Sequence, residues 1–278
     1  KGTQWRIVSV DENKMQVNVE QIYGSPINVP HWVGEMIPVD YETAVGVGRL
    51  RNKVLHDSTF KFESDIKNIL KKIPIIPDSE NIVIENVAAN NAIVIHSAFG
   101  TKINNTLSSL FSTILASYVG HLVETKSDPY RILLSSSVRL SRANIEKIFH
   151  DEFDVEAILI ASLTNTYNLN WRVWMVSKKF GLVEKNAVYD KRISRFIYDR
   201  YSKTPVSKES LRELMHDKFD VNATEDILRK IRNKEISIHW LDLTHFSPLA
   251  QSVIEHHSKA SSSPLSIEKG VLELIKER

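Results

Sequence analysis

The 278 residues contain no cysteine, which removes disulfides and every cysteine-based zinc site and fits a protein kept in a reducing compartment, with the cytoplasm as the expected location. No apolar run reaches the ~18 residues that a membrane span needs, and no membrane partner is expected. No signal-peptide pattern opens the chain. It starts in mid-strand at Lys1-Gly2-Thr3-Gln4-Trp5, which is expected to be a boundary inside a longer protein. There is little excess charge of either sign: 36 Lys and Arg stand against 34 Asp and Glu, a net of +2. That balance does not imply nucleic acid by itself, so any basic surface must be local. A phosphate-binding loop of the form G-x-x-x-x-G-K-S/T is absent. Asp151-Glu152-Phe153 lacks the D-E-x-H order and reads as helix-end acids, and Gly46-Val47-Gly48 lies inside a helical pattern. His256 and His257 are adjacent and point to different helix faces, so they cannot share a metal as an i, i+4 pair can. No other histidine pair has ligand spacing, and no Ser-His-Asp arrangement is readable. These residues are therefore expected to hold no catalytic centre, metal or cofactor.

What is present is organised around Ile93 to Leu134. Ile93 to His96 is a short β-rich run that closes on Ser97-Ala98-Phe99-Gly100. The apolar period then becomes helical: Ile103, Leu107, Leu110, Phe111, Ile114, Leu115 and Tyr118 share a face, and Gly120 stands where a helix ends. The opposite face is small and neutral, with Ser108, Ser109, Ser112 and Ser117, and no charge occurs between Lys102 and Glu124. A solvated face normally carries Lys and Glu, so this helix is expected to be covered on both sides, by this chain or by a neighbouring domain. Before it, Thr3–Val10 and Met15–Ile22 read as a hairpin, Asp40 to His56 and Ile66 to Ile73 as helices, and Ile82 to Val87 as a strand pairing with Ile93 to His96. After it, Leu122 to Thr125 and Tyr130 to Leu134 read as strands. From Ser141 the pattern is mainly helical: 141–150, 154–164, 168–179, 194–201, 207–218 and 223–232, then a strand 235–242. Ser247-Pro248 opens a further helix, 258–264 reads as a linker, and 267–276 as a last helix. The expected fold class is α+β: residues 1–140 form a small curled sheet or barrel-like module with a long buried helix, and residues 141–278 a mostly helical sub-domain. The helix pair 207–218 and 223–232 with its following strand has the outline of a winged helix.

Three stretches carry binding chemistry. Pro30-His31-Trp32-Val33-Gly34-Glu35 places a tryptophan in a loop framed by proline and glycine. Such a ring either folds back onto a core or stacks on an unpaired base, a contact worth ~1–3 kcal/mol. Lys178 to Lys203 is the most basic segment. Lys178, Lys179, Lys185, Lys191, Arg192, Arg195, Arg200 and Lys203 stand against Glu184, Asp190 and Asp199, a local excess of five. Phe180, Tyr189, Phe196, Tyr198 and Tyr201 are interleaved, which is the pattern of a phosphate track with aromatics near bases, or of a solvated helix face over an aromatic core. Trp171 and Trp174, three apart on a helix, read as core. Asp128-Pro129-Tyr130-Arg131 marks a turn into a strand whose arginine can meet a phosphate or an acid.

His96, Phe99-Gly100, Asn104, Thr106-Leu107 and Asp128-Pro129-Tyr130-Arg131 together resemble the accessory domain that follows the motor in Lhr (large helicase-related) helicases. Trp5-Arg6, Trp32-Val33-Gly34-Glu35, Arg49-Leu50-Arg51, Lys179-Phe180-Gly181, Thr204-Pro205-Val206 with Glu209, the Asp220 turn and Ser247-Pro248-Leu249-Ala250 follow in family order. The resemblance implies an ATP-dependent parent using ATP and Mg, a 3′-to-5′ translocase on single-stranded DNA that unwinds duplexes or RNA:DNA hybrids. It also implies partners in the same parent chain: two RecA-like domains and a winged helix. Both RecA-like domains are missing from these residues, so the chain is expected to grip nucleic acid without hydrolysing ATP. Trp32 is the expected stacking residue, with His31 beside it where many relatives carry another aromatic. Arg131, Lys178, Lys179, Arg192 and Arg195 are the expected phosphate contacts, and Ser108, Ser109, Ser112 and Ser117 the expected face toward the motor. A protein-interaction scaffold and a base-acting, glycosylase-like enzyme are the alternatives.

Overall fold

The structure is a computed structural model that describes residues 4–11, 14–22, 37–57, 59–60, 63–87, 91–164 and 166–254. The chain divides into two compact units, Lys1–Ile37 and Pro38–Arg278. In the first, β1 (Gln4–Asp11) pairs antiparallel with β2 (Gln16–Ile22), with an irregularity between Ile7 and Ser9. Arg6 and Glu20 pair at 3.0 Å across the ribbon. Neighbouring residues of a strand point to opposite faces, so the exposure of both Ile7 and Val8 leaves apolar groups on both sides.

The second unit is built on a five-stranded sheet of order β5-β6-β4-β3-β7. Its strands are β3 (Asn81–Val87), β4 (Ala92–His96), β5 (Val123–Asp128), β6 (Arg131–Ser136) and β7 (Ser237–Asp242). All neighbours are antiparallel except β3 and β7, which run parallel. The central strands read as unbroken apolar runs because both faces are covered. On one face Ile82, Ile84, Ile93, Ile95, Ile132 and Leu134 pack into one cluster with the long helix α3 (Thr101–Val119). On the other, Ala92, Val94 and Leu133 are covered by Ala250, Val253 and Ile254. Burying each such Leu, Ile or Val side chain contributes ~1.5–3 kcal/mol. Gly120 ends α3 in the left-handed conformation that a side chain disfavours, at φ 69°.

Around this core, α1 (Tyr41–His56) and α2 (Ser64–Lys71) precede the sheet. Six helices lie between β6 and β7: α4 (Arg142–His150), α5 (Val155–Leu163), α6 (Tyr167–Lys179), α7 (Lys191–Arg200), α8 (Pro205–Lys218) and α9 (Val221–Arg232). Most begin at a side-chain cap: Asp40, Ser141, Asp154, Thr166, Asp190 and Asp220 each accept a hydrogen bond from the first turn. Capped by Asp190, α7 starts at Lys191, three residues before the expected Ser194. Leu163, Leu169, Val173, Val176, Ile197 and Leu214 form a second core among α5 to α8.

The α+β class stands, and three details differ from expectation. The sheet stays open, with β5 and β7 at its edges, so no barrel forms. The strand after α9 is no wing: β7 reaches back to pair with β3, Ile84 opposite Trp240. That pairing joins residues 237–242 to the sheet of the first 140 residues. Tyr118, placed on the buried face of α3 by periodicity, is 39% exposed, with Lys147 over its ring.

Candidate nucleic-acid interface

The exposed cations and aromatics converge where α6 meets α7. Gly181, at φ 74°, turns the chain after α6, and the 182–190 loop returns it to Asp190, whose carboxylate accepts from the backbone N–H groups of Arg192 and Ile193. Ser194 and Ile197 anchor the inner face of α7. The outer face carries Arg192, Arg195, Phe196 and Arg200, all exposed. Phe196 lies one turn from both Arg192 and Arg200, so a cation flanks it on each side along one stripe. Phe196 is 64% exposed, far more than an aromatic needs for packing. Arg192 and Arg195 have no acid partner among the described residues.

The other expected phosphate contacts have partners inside the chain. Lys178 donates from Nζ to the carbonyl of Ala187 at 2.7 Å and lies over the Trp174 ring. Lys179 Nζ pairs with Glu213 at 2.8 Å, and Arg172 bridges Glu213 and Asp217 of α8. The hydrogen bond from Lys179, joined by that from Arg172, holds the Glu213 carboxyl below its usual range against the opposing effect of burial. Arg131 binds Asp128 at 2.8 Å and donates to the carbonyl of Leu249, with only 15% of its side chain exposed. It fastens β6 to the segment 247–250 instead of facing solvent. Trp32 and His31 lie outside the described residues, as do His256, His257, the 258–264 linker and the 267–276 helix.

Sequence reading also missed two features. Trp171, expected in the core, is 41% exposed while Trp174 is 2% exposed. Tyr167 and Trp171 are near-parallel neighbours on α6, and the four-residue spacing of two aromatics was the available signal. The second feature is a buried polar cluster. Glu85, the one acid in an apolar strand, accepts from His96 Nε2 at 2.8 Å and from the Ser247 backbone N–H at 2.8 Å, and also from the Ser247 hydroxyl. Burial raises the Glu85 pKa, but the hydrogen bonds from His96 and Ser247 outweigh it and leave the carboxyl below its usual range. The carboxylate stands between serine and histidine, so the histidine cannot take the serine proton, and the group is a fastener and not a nucleophile triad.

The neutral face of α3 is covered by this chain at Ser108 and in part at Ser109 and Ser112, while Ser117 near the helix end is exposed. Ser108 is 6% exposed, Ser112 donates to the Val123 carbonyl at 2.7 Å, and Ser117 to the Ile114 carbonyl at 2.7 Å. Ser109 lines a cavity of about 280 Å³ with Ser112, Thr125, Ser162, Thr166 and Phe219. The docking surface expected at Ser108 and Ser112 is thus occupied by β5 and the helices packed on α3. No acid or lysine lines that cavity, which removes the group a base-acting enzyme would need there.

The DEAD/H associated family model matches residues 76–250, well over half of the chain. The chain belongs to the DEAD/H associated family. The match takes in the whole sheet, α3 and the α6–α7 corner. Relatives of this DEAD/H associated chain include the ATP-dependent helicase Lhr-Core of Methanocaldococcus jannaschii, 24% identical over 94% of the chain and 34% of the relative. The Lhr-Core protein 2 of Thermococcus barophilus is 25% identical over 80% of the chain and 30% of the relative. The chain spans about a third of the length of these relatives. Among solved structures, the Mycobacterium smegmatis helicase Lhr bound to ssDNA and AMP-PNP shares the fold. Its TM-score is 0.66 at 18% identity, over 82% of the chain and 33% of that protein. The DEAD/H associated chain is thus similar to one part of Lhr helicases.

Proposed function

We propose that this chain is the part of an Lhr-type, ATP-dependent helicase that holds a single strand of nucleic acid. The RecA-like domains of the parent, outside these residues, hydrolyse ATP with Mg and move 3′ to 5′ along the strand. The observation that carries the reading is the outer face of α7: Arg192 and Arg195 stand exposed without an acid partner around an exposed Phe196. Guanidinium groups on that face meet phosphates, and the ring offers a surface to a base. Trp32, with His31, is the further stacking group that the family resemblance supports. Lys178, Lys179 and Arg131 are engaged within the chain and drop out of the phosphate contacts. DNA, RNA or an RNA:DNA hybrid would satisfy the same groups, since phosphate and stacking contacts read no sequence.

The test is fluorescence anisotropy of a labelled single-stranded oligonucleotide at several salt concentrations, with the wild-type chain and an Arg192→Ala, Arg195→Ala variant. Each lost phosphate contact lowers the slope of log affinity against log salt by about 0.7 on a single strand, so the double variant should flatten it by about 1.4. An unchanged slope would remove α7 from the interface, and no binding at low salt would turn the reading to a protein scaffold.

A further inference from the structure

We infer that Tyr167 and Trp171 on α6 form a second base-stacking site for single-stranded nucleic acid, continuous with the cationic face of α7. This rests on the reading that the chain holds a strand, and it adds a site that neither the family resemblance nor the basic segment indicates. Tyr167 is 62% exposed and Trp171 41%, one turn apart on the same helix. Their rings are nearly parallel, at 13° with centroids 6.4 Å apart. Tyr189 braces them from the following loop, edge-on to Tyr167 at 5.9 Å and to Trp171 at 5.0 Å. Tyr189 is itself held edge-on to the buried Trp174 at 5.8 Å. Two large rings are thereby locked in place while their outer surface stays in water. Such a pair loses little conformational entropy when a flat ligand lands on it.

Charge decides which flat ligand. Tyr189 is followed at once by the Asp190 cap, so Lys191 and Arg192, both exposed, open α7 beside the aromatic pair. Arg195 follows one turn later. Asp190 is spent on the cap, and Glu213 and Asp217 on Arg172 and Lys179, which leaves Asp199 as the one acid on α7 against Lys191, Arg192, Arg195 and Arg200. An apolar protein surface docked on the rings would leave those cations facing it unpaired. A single strand answers both features, with bases on the rings and phosphates toward α7.

The test uses two labelled oligonucleotides of equal length, one of thymidines and one abasic, which keeps the phosphates and removes the bases. Both are titrated with the wild-type chain and with Tyr167→Ala, Trp171→Ala and Trp171→Phe. The wild type should favour the thymidine strand. Each alanine variant should lose about fivefold to a hundredfold toward thymidines and nothing toward the abasic strand, and Trp171→Phe should keep most of the affinity. Tyr167, the more exposed ring, serves as the second variant should Trp171→Ala fail to fold. Alanine variants that bind thymidines as the wild type does, or that lose equally on both strands, overturn the stacking site. In either case salt-sensitive wild-type binding would leave the α7 reading standing. A wild type that binds neither strand at low salt removes both.

Discussion

Glu85, His96 and Asn104 are 1%, 2% and 0% exposed, whereas Tyr167 and Phe196 are 62% and 64% exposed. The first group sits at the end of the inner strands, the second at the α6–α7 corner. Asn104 donates to the carbonyls of Ser97 and Asp128, both at 2.8 Å, and accepts from the Ser97 hydroxyl. Gly100 donates to Pro129, and Arg51 lies over the Tyr130 ring. His96, Gly100, Asn104, Asp128-Pro129-Tyr130-Arg131 and Ser247-Pro248-Leu249-Ala250, which carry part of the family likeness, belong to this inner region. It joins β3, β4, the β5–β6 turn and the 247–250 segment into one knot. Of that likeness the outer corner carries only Lys179-Phe180-Gly181. The contrast teaches that many of the recognisable residues here build the scaffold, while exposed rings and cations stand at the α6–α7 corner.

That contrast can be broken from its inner side first. Glu85→Ala should destabilise the chain by about 3–5 kcal/mol in urea unfolding, because it strips a buried partner from His96 and Ser247. A loss near zero would make the cluster incidental. The same carboxylate gives a pH signature. Its folded pKa lies below its ordinary value of 4.5, so its contribution is complete above that value and is lost as pH falls through the lower, folded one. Glu85→Gln should flatten the stability profile in that acid range, and a profile identical to wild type would contradict the assignment. Gly100→Ala comes next, at about 3 kcal/mol. The residue has φ 87°, and an added Cβ would stand 2.7 Å from the Val39 carbonyl oxygen and 2.9 Å from the Asp40 backbone. Thermal denaturation would show it.

Much of this architecture was legible in the residues. Caps at Asp40, Ser141 and Asp154 mark helix starts, Gly120 marks the end of α3, and the apolar runs 82–87 and 93–96 mark strands that pair as expected. Local signals of this kind act over a turn or two. The pairing of β7 with β3 does not, since it joins residues about 156 positions apart, as Ile84 and Trp240 do, and periodicity is silent on partners that distant. The site was less legible for the same reason. Lys179 reads as a free cation until Glu213 of α8 is placed beside it, and Arg131 until Asp128 and Leu249 surround it. Trp171 and Trp174 both lie on α6, and their different cover, 41% against 2% exposed, is set by what packs around the helix.

From the outer side the expected effects on stability are small. Arg172→Ala removes ion pairs that are partly open to solvent and should cost no more than about 1 kcal/mol in urea unfolding. A larger loss would move that network into the inner, structural class. Arg192→Ala with Arg195→Ala should leave the unfolding midpoint where it is.

The most direct measurement takes wild type and the Arg192→Ala, Arg195→Ala variant through unfolding and single-strand binding on the same samples. An unchanged midpoint with weakened, less salt-sensitive binding is expected. A variant that binds as the wild type does, with the same salt dependence, would contradict the placing of the phosphate contacts on α7.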